Sequence, residues 1–348
     1  MSLKEIAKKA GVSPATASRA LNDPDYRCRS EEIRNRIWEA ARELHYVPNL
    51  AAKNLKTLRS EEQQQVFHLN ILITRTDGAR TDPFFDELLR SLEGEFHRRF
   101  CILNNIWHKS EFSDERKCRG MNLQKEIDLL FSEVGEQNDG LLIIGKCALP
   151  VLSMLQKKCQ SIVSINRNST NYAVDEVLCD GEKIAGAATE YLISLGHTEI
   201  GYIGSCHHES RYRGFLDALA RHSLEVDPGY IIETRQTEAE GFKAMQTLAE
   251  SGICPTALFC ANDISAIGVL KYLSLMKKKA PAVAVISCDD IAEAEVIRPA
   301  LTTFHLDKKE MARHAVYLLL DRIEGGHINV ARIEVESRLI ERESCFAP

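Results

Sequence analysis

Short apolar runs alternate with amphipathic stretches along most of the chain, and this alternation limits the possible folds more than any other feature. The apolar runs occupy residues 69 to 74, 101 to 105, 140 to 145, 161 to 166, 200 to 204, 256 to 261 and 282 to 287. Helical spacing is clear in residues 82 to 100, 181 to 195, 238 to 251 and 263 to 277. Strands alternating with helices predict parallel sheets, and about 280 residues of this pattern predict two of them. Ligands of such sheets bind beyond the carboxyl ends of the strands.

The first 46 residues follow a different pattern, in which apolar residues recur at helical spacing. Residues 3 to 21 read LKEIAKKAGVSPATASRAL. Gly11 permits a turn, Ser13 is an N-cap candidate, and Pro14 falls at the first position of a second helix, where a missing N–H costs nothing. A third helix is predicted from Ser30 to His45. Three helices with a tight turn between the first two predict a helix-turn-helix head.

The charge of the chain is unevenly divided. Residues 1 to 59 carry a formal charge of +5, whereas residues 60 to 348 carry −11. A basic head on an acidic body indicates that only the head meets a polyanion. The charged start Met1-Ser2-Leu3-Lys4-Glu5 does not fit a signal peptide and no apolar run fits a membrane span, so we expect a cytoplasmic protein. The 11 scattered cysteines predict reduced thiols rather than disulfides or a metal site.

The head resembles the N-terminal domain of the lac/galactose repressor family (LacI/GalR). The resemblance is carried by Ile6-Ala7, Ala10-Gly11-Val12-Ser13, Thr16, Ser18-Arg19, Leu21-Asn22, Arg36-Ile37 and Leu44-His45-Tyr46. It implies that the second helix lies in the major groove, with Pro14, Ala15 and Arg19 at the positions that contact bases. An arginine there bonds guanine through two donors. The polar residues expected to contact phosphates are Ser13, Thr16, Ser18 and Asn22.

A hinge is predicted at residues 47–59, followed by a polar linker at residues 60–68. Asn49 is placed to cap a helix too short to be stable alone. The resemblance implies that this helix pairs with its twin from a second subunit in the minor groove, where Leu55 wedges into a base step. Ala51 and Ala52 are small enough for two such helices to pack closely, and Lys53 and Lys56 are placed to reach phosphates. Many relatives carry Arg where this chain has Lys53, and a plain linker remains the alternative.

The body resembles the periplasmic-binding-protein-like core of the same family. Its marks include Leu195-Gly196-His197, Arg213-Gly214-Phe215, Ala261-Asn262-Asp263 and Asp289-Asp290. Within the family, the chain resembles the evolved-β-galactosidase repressor type in Asn22-Asp23-Pro24, Asp139-Gly140 and Arg342-Glu343-Ser344-Cys345. The resemblance implies an effector site formed by Phe84, Phe85, Asn166, Arg211, Asn262 and Asp289. For some of these a structural role stays open, because either phenylalanine is equally consistent with the core and Arg211 has a surface position as its alternative. The neighbouring Asp263 is expected to cap a helix rather than to contact the ligand.

The site chemistry suits a sugar, because hydroxyl groups need fixed donors and acceptors and an aromatic ring covers the apolar face. A nucleobase would also stack on phenylalanine. The chain departs from the family at Ser287-Cys288, where relatives have a glycine and an aromatic residue, and at residues 277 to 281. The effector's identity therefore does not follow from the resemblance.

The predicted organisation is an all-α head at residues 1–46 and an α/β effector domain at residues 69–348. The first subdomain is expected at 69–167 and 304–325, and the second at 168–303 and 326–345. We expect a homodimer that binds a palindromic operator, because one head makes too small an interface and twofold operators mirror twofold proteins. A sugar effector in the cleft would release a repressor of sugar-utilisation genes.

The sequence bears on three alternative functions. A co-repressor-dependent or purine-type regulator would share the whole architecture. A solute-binding protein would share the body but not the head. An enzyme is disfavoured, because the chain has neither a dinucleotide loop nor a Walker sequence. No catalytic residues, cofactor or metal are predicted; the adjacent His207 and His208 do not converge on one ion without further ligands.

Overall fold

A computed structural model describes residues 3–22, 26, 28, 30–44, 46, 66–75, 82–135, 137–252, 254–276 and 282–348. Its strands are β1 (His68–Ile73), β2 (Ile102–His108), β3 (Gly140–Ile144), β4 (Ile162–Asn166), β5 (Asp175–Leu178), β6 (Ile200–Gly204), β7 (Ile231–Glu233), β8 (Ala257–Cys260), β9 (Ala284–Asp289), β10 (Thr302–Leu306), β11 (Arg332–Glu334) and β12 (Ser337–Ile340). Its helices are α1 (Leu3–Ala10), α2 (Pro14–Asn22), α3 (Glu31–Glu43), α4 (Pro83–Arg98), α5 (Glu115–Cys118), α6 (Leu123–Ser132), α7 (Leu149–Leu155), α8 (Gly181–Ser194), α9 (Ser210–Arg221), α10 (Glu238–Ser251), α11 (Asp263–Met276), α12 (Ala292–Val296) and α13 (Lys308–Ile323), with 3₁₀ turns at Ser110–Ser113 and Pro228–Tyr230. None of these helices is long and apolar enough to cross a membrane.

The head is the predicted helix-turn-helix. Gly11 turns the chain after α1 with a left-handed φ of +68°, a conformation that side chains with a Cβ rarely adopt. Ser13 caps α2, since its Oγ accepts a hydrogen bond from the backbone N of Thr16 at 3.1 Å, and Ser30 caps α3 in the same way at 3.3 Å. The three helices meet on a common core that includes the fully buried side chains Ile6, Ala17 and Ile37. Helix α3 ends at Glu43, two residues before the predicted end.

The body consists of two six-stranded sheets. The first has the order β11-β5-β4-β3-β1-β2, and all its neighbours are parallel. The second has the order β12-β10-β9-β8-β6-β7, in which only β12 runs antiparallel to its neighbour. The predicted architecture of two parallel-sheet subdomains is therefore confirmed.

The chain passes between the sheets at points that differ from the predicted boundaries. Strand β5 still belongs to the first sheet, so the crossing follows residue 178 rather than 167. Strand β10 belongs to the second sheet and not to the first, and β11 returns to the first sheet before β12 closes the second. The sequence did not reveal β5 because acidic residues, Asp175 and Glu176, form its first half. Both are 1% exposed and form ion pairs or hydrogen bonds with neighbours.

The head rests on α4 of the first subdomain. Arg42 of α3 donates to the buried carboxylate of Glu93 at 2.6 Å. Arg90 donates to the Glu31 carboxylate through Nη1 and Nη2, at 2.5 and 3.0 Å. The rings of Trp38 and Tyr46 contact the His97 imidazole edge-on and in a stack, with centroids 6.0 and 6.2 Å apart. These contacts join the head to the first subdomain within one chain.

Candidate nucleic-acid interface and ligand cleft

The exposed face of α2 carries the residues that the sequence places at base-contacting positions. Pro14, Ala15 and Arg19 are exposed, whereas Ala17 is buried against the head core. The guanidinium carbon of Arg19 lies 5.5 Å from the centre of the Tyr26 ring, a distance at which a cation–π contact restrains the group. An exposed planar group with two donors on a helix is what bidentate bonding to guanine requires.

The hydroxyl groups predicted to contact phosphates lie along the same helix. Ser13 is exposed and Thr16 and Ser18 are half-buried; the hydroxyls of Ser13 and Thr16 bond each other at 2.8 Å. Ser13 and Thr16 stand at the N-terminal end of α2, where the helix favours a phosphate. The remaining predicted DNA contacts lie outside the described residues: the side chain of Asn22, and Asn49, Ala52, Lys53, Leu55 and Lys56.

A cleft of about 1510 Å³ opens between the two subdomains at the carboxyl ends of their strands. Its walls include four of the six predicted effector residues, namely Phe84, Phe85, Asn166 and Arg211. The other two, Asn262 and Asp289, lie behind the wall and are 2% and 1% exposed. The structure therefore gathers the predicted residues around one cleft without exposing all of them to it.

Arg211 stands in the first turn of α9 and forms a buried ion pair with Glu209. Its Nε lies 2.7 Å from Glu209 Oε1, and both residues are 5% exposed. The guanidinium also donates to the carbonyl of Ala261 and, at 3.4 Å, to the side-chain oxygen of Gln236. Burial opposes ionisation of Glu209, but the charge and hydrogen bonds of Arg211 outweigh it and lower the pKa to about 2. The alternative of a surface position for Arg211 is wrong.

Arg167 connects two of the predicted residues across the cleft. It follows β4 of the first sheet, and its Nη2 donates to Oδ1 of Asp289, the last residue of β9 in the second sheet. Its guanidinium carbon lies 4.3 Å from the centre of the Phe84 ring. Phe84 is only 3% exposed, so the half-buried Phe85 is the more accessible ring. Burial raises the pKa of Asp289 to about 7 against the opposing charge of Arg167.

Asn262 and Asp263 stabilise the second subdomain behind the cleft. The side-chain oxygen of Asn262 accepts from the backbone N three residues ahead at 3.2 Å and so caps α11, while its amide donates to the carbonyl of Gln236 at 3.1 Å. Asp263 accepts from the hydroxyls of Ser287 and Thr303, each at 2.6 Å. The cap expected from Asp263 is therefore supplied by Asn262, and Asp263 ties α11 to β9 and β10.

Among the basic residues that line the cleft, sequence reasoning missed three that follow strands of the first sheet: Arg75, Lys146 and Arg167. Each follows a strand of the first sheet by one or two residues. Arg75 Nη2 donates to the side-chain oxygen of Gln236 at 3.2 Å, and Lys146 Nζ donates to the carbonyl of His207 at 3.2 Å. Positively charged residues directly after apolar runs were a usable signal, because ligands bind at this edge of parallel sheets.

Comparison with known proteins agrees with this architecture. Residues 2–49 match the family model for bacterial regulatory proteins of the lacI family, and residues 189–345 match that for the periplasmic binding protein-like domain. The HTH-type transcriptional repressor CytR of Escherichia coli (strain K12) is 33% identical over 356 residues, which cover 99% of this chain and 96% of that repressor. The chain belongs to the lacI family. The HTH-type transcriptional repressor PurR of Escherichia coli O139:H28 is 31% identical, with 98% and 96% of the two chains covered.

This lacI-family protein is a DNA-binding transcriptional repressor and not an enzyme. Solved structures share its fold over the full chain. The transcriptional regulator CelR in complex with cellobiose is 25% identical to this chain with a TM-score of 0.66, and the match covers 99% of this chain and all of that one. The lac repressor dimer bound to operator and an anti-inducer has 19% identity and a TM-score of 0.68, covering 100% and 99%. The resemblance of this chain to the evolved-β-galactosidase repressor type stays a prediction.

Proposed function

We propose that the protein is a homodimeric repressor of sugar-utilisation genes, and that a sugar bound in the cleft controls its affinity for a palindromic operator. The observation that carries this proposal is the Arg167–Asp289 ion pair, which joins the two subdomains across the cleft. A ligand that enters must replace or rearrange such cross-cleft contacts. Its binding therefore favours one relative position of the subdomains over another, which is the requirement for control of a distant site.

The cleft supplies the groups that hydroxyls need. Asn166 presents a half-buried side-chain amide, Arg167 and Arg211 present donors, and Phe85 presents an apolar ring. Ring hydroxyls bond to such fixed donors and acceptors, while the C–H face of a sugar packs on an aromatic ring. Two structural neighbours are described as complexes with cellobiose and with ribose, which supports a sugar as the ligand.

A nucleobase-type ligand acting as co-repressor is the second candidate. The rings of Phe84 and Phe85 meet edge to face with centroids 5.3 Å apart, an arrangement that leaves the accessible Phe85 ring available for stacking by a flat base. Such a ligand would strengthen rather than weaken operator binding if it stabilised the subdomain position that suits DNA.

The deciding experiment measures operator affinity in the presence of a ligand panel. An operator is first obtained by selection from random DNA, and the panel contains monosaccharides, disaccharides, nucleosides and nucleobases. A sugar that weakens operator binding supports the first candidate, and a base that strengthens it supports the second. If no compound changes the affinity, effector control through the cleft is wrong.

The dimer is supported by exposed apolar side chains in the second subdomain. Leu275 is 69% and Val296 75% exposed, and the segments that carry them meet where the Ser274 hydroxyl donates to the carbonyl of Arg298 at 3.3 Å. Exposed apolar residues on adjoining segments are typical of a contact surface. Sedimentation of the full chain with and without a Leu275→Asp, Val296→Asp double substitution tests this assignment. If the double variant sediments as the same dimer, the interface lies elsewhere on the molecule.

The hinge prediction is tested by Leu55→Ala. If Leu55 wedges into the central base step, the substitution is expected to weaken operator binding about tenfold and to reduce DNA bending, while binding to random DNA stays nearly unchanged. Gel-shift titration and a circular-permutation bending assay measure the two effects. Equal losses on operator and random DNA would contradict the wedge.

The cleft assignment is tested by Phe85→Ala and Asn166→Ala. Both side chains line the cleft and are only half-buried, so the fold should tolerate their loss better than that of the paired Arg211 or Asp289. We expect each variant to raise the effector concentration for half-maximal response about tenfold. Phe346→Ala removes a 41% exposed aromatic outside the cleft and serves as the control. An unaltered response in both cleft variants would show that the effector binds elsewhere.

A further inference from the structure

Three basic residues form a row along one edge of the first sheet. Strands β1, β3 and β4 are neighbours, with Ile73 opposite Ile144 and Ile144 opposite Ile165. The hydrogen-bond ladder continues one residue further, since the amides of Thr74 and Gly145 donate to the next strand at 3.0 Å each. Two residues beyond each paired isoleucine stand Arg75, Lys146 and Arg167. The basic row therefore occupies equivalent positions on three adjacent parallel strands, at the edge where ligands of such sheets bind.

The positive charge of the basic row is only partly balanced by carboxylates in direct contact with it. Arg167 has a contacting acid, Asp289. Arg75 Nε lies 3.9 Å from Asp82, and its closer bonds go to the neutral oxygens of Arg235 and Gln236. Lys146 donates to a backbone carbonyl, and in the part of the chain that the structure describes no carboxylate oxygen lies within 4.0 Å of its Nζ. The nearby Arg211 and Glu209 neutralise each other.

Arg167 also retains an unused donor. Its Nε is buried and has no hydrogen-bond partner among the described residues. The residue as a whole is 8% exposed and lines the cleft. A buried donor without a partner is costly, and native structures satisfy nearly all of them. Burial also lowers the pKa of Arg75 and of Lys146, so the protein holds cations at this edge against a desolvation cost. An acceptor with negative charge would satisfy both the donor and the surplus charge.

We propose that the cleft ligand carries an acidic group, a phosphate or a carboxylate, and that Arg75, Lys146 and Arg167 bind this group. The inference rests on the proposed function of the cleft and narrows its ligand class from sugars in general to acidic sugars. Arginine supplies paired donors for a planar carboxylate or a phosphate, and lysine supplies a compact point charge.

The position of the row links the acidic group to subdomain closure. Arg75, Lys146 and Arg167 each bond to an acceptor in the second subdomain, on Gln236, His207 and Asp289 respectively. An anion that draws these donors toward itself competes with the bonds that hold the subdomains in their present position. A neutral sugar competes for these donors less strongly, because its hydroxyl acceptors carry no charge, so the acidic group is the part of the ligand that most affects the closure.

The test compares anionic and neutral probes on the full-length protein at constant ionic strength, because salt screens such contacts. The probes are inorganic phosphate, glucose 6-phosphate, glucuronate and glucose, and the readout is the thermal unfolding midpoint as a function of probe concentration. We expect saturable stabilisation by phosphate and by at least one acidic sugar, with an apparent Kd at least about tenfold below that of glucose. The relative response to glucose 6-phosphate and glucuronate distinguishes a phosphate from a carboxylate.

Two variants locate the binding. Arg75→Gln and Lys146→Gln remove one cation each and keep a polar side chain, and both are expected to weaken binding of the anionic probes about tenfold while leaving the response to glucose unchanged. Lys157→Gln removes an exposed lysine outside the cleft and is the matched control. Circular dichroism checks that the variants are folded.

Three results would overturn the inference: no saturable stabilisation by any anionic probe, equal binding of glucose and the acidic sugars, or undiminished anion binding in both cleft variants. A separate operator-binding assay distinguishes this failure from that of the proposed function. If neutral sugars release the operator and acidic ones do not, only the acidic ligand class is wrong. If the acidic probes bind through the basic row but no compound changes operator affinity, the assignment of the row as an anion site is correct and the proposed effector control is wrong.

Discussion

Replacement of Glu209 by glutamine is expected to lower the free energy of unfolding by about 3–5 kcal/mol, because it leaves a buried arginine without its counter-charge. Glu209 and Arg211 are each 5% exposed, and the carboxylate receives the Arg211 Nε at 2.7 Å and its backbone N at 3.3 Å. Glutamine keeps an acceptor but removes the charge, so the loss is electrostatic rather than steric. Urea unfolding followed by circular dichroism at pH 7 measures the difference.

The pH dependence of this difference separates the charge from other effects of the substitution. The pKa of Glu209 falls from 4.5 to about 2 on folding, so its ionised form stabilises the folded state at every pH above 4.5. This contribution is lost as the pH falls toward 2. The advantage of the wild type over Glu209→Gln should therefore stay constant from pH 7 to pH 5 and shrink below. A difference independent of pH would show that the pair is not the cause.

An exposed ion pair nearby provides the control. Glu182 of α8 lies 3.2 Å from Arg213 of α9, and the two side chains are 44% and 67% exposed. Glu182→Gln is expected to cost about 0–1 kcal/mol, since solvent screens exposed pairs. A cost equal to that of Glu209→Gln would mean that burial does not determine the strength of these pairs.

The elements that sequence reasoning predicted best are those with strong local signals. In the head, Ser13 and Pro14 mark the start of α2, and the structure places both there. In the body, helix α10 has the predicted bounds, because its apolar spacing begins at a Thr237 cap and ends at Gly252, which is left-handed. Capping and apolar periodicity depend on residues within one segment, so the local sequence is enough to predict where such a helix begins and ends.

What the sequence did not predict depends on contacts between distant segments. Strand β5 is acidic, and Asp175 becomes tolerable there only because Arg322 and His327, far along the chain, bond to it. The predicted crossing points were wrong for the same reason. The site shows the same limit: Arg211 was predicted, whereas its partner Glu209 was not, since helix capping by a glutamate has no strong sequence pattern. The basic row becomes visible only once strand register aligns its members.

Arg19→Ala is expected to lower operator affinity by about 1–3 kcal/mol for each half-site and to relax base preference at one position of that half-site. Arg19 is exposed on α2, and its guanidinium lies over the Tyr26 ring rather than in an ion pair with another described residue. It is therefore available to a guanine at little cost in existing contacts. Binding-site selection followed by fluorescence anisotropy on the selected operator and its single-base variants measures both effects.

Two further substitutions assign the effect to base recognition. Arg19→Lys keeps the charge but loses the paired planar donors, so it should retain the salt dependence of binding while losing much of the preference for guanine. Lys9→Ala removes an exposed cation of α1 that pairs with Glu43, and it should weaken binding to all sequences about equally. If Arg19→Ala behaved like Lys9→Ala, Arg19 would be a phosphate contact. Base preference in this head would then arise from apolar contacts of Pro14 and Ala15 or from the shape of the bent DNA.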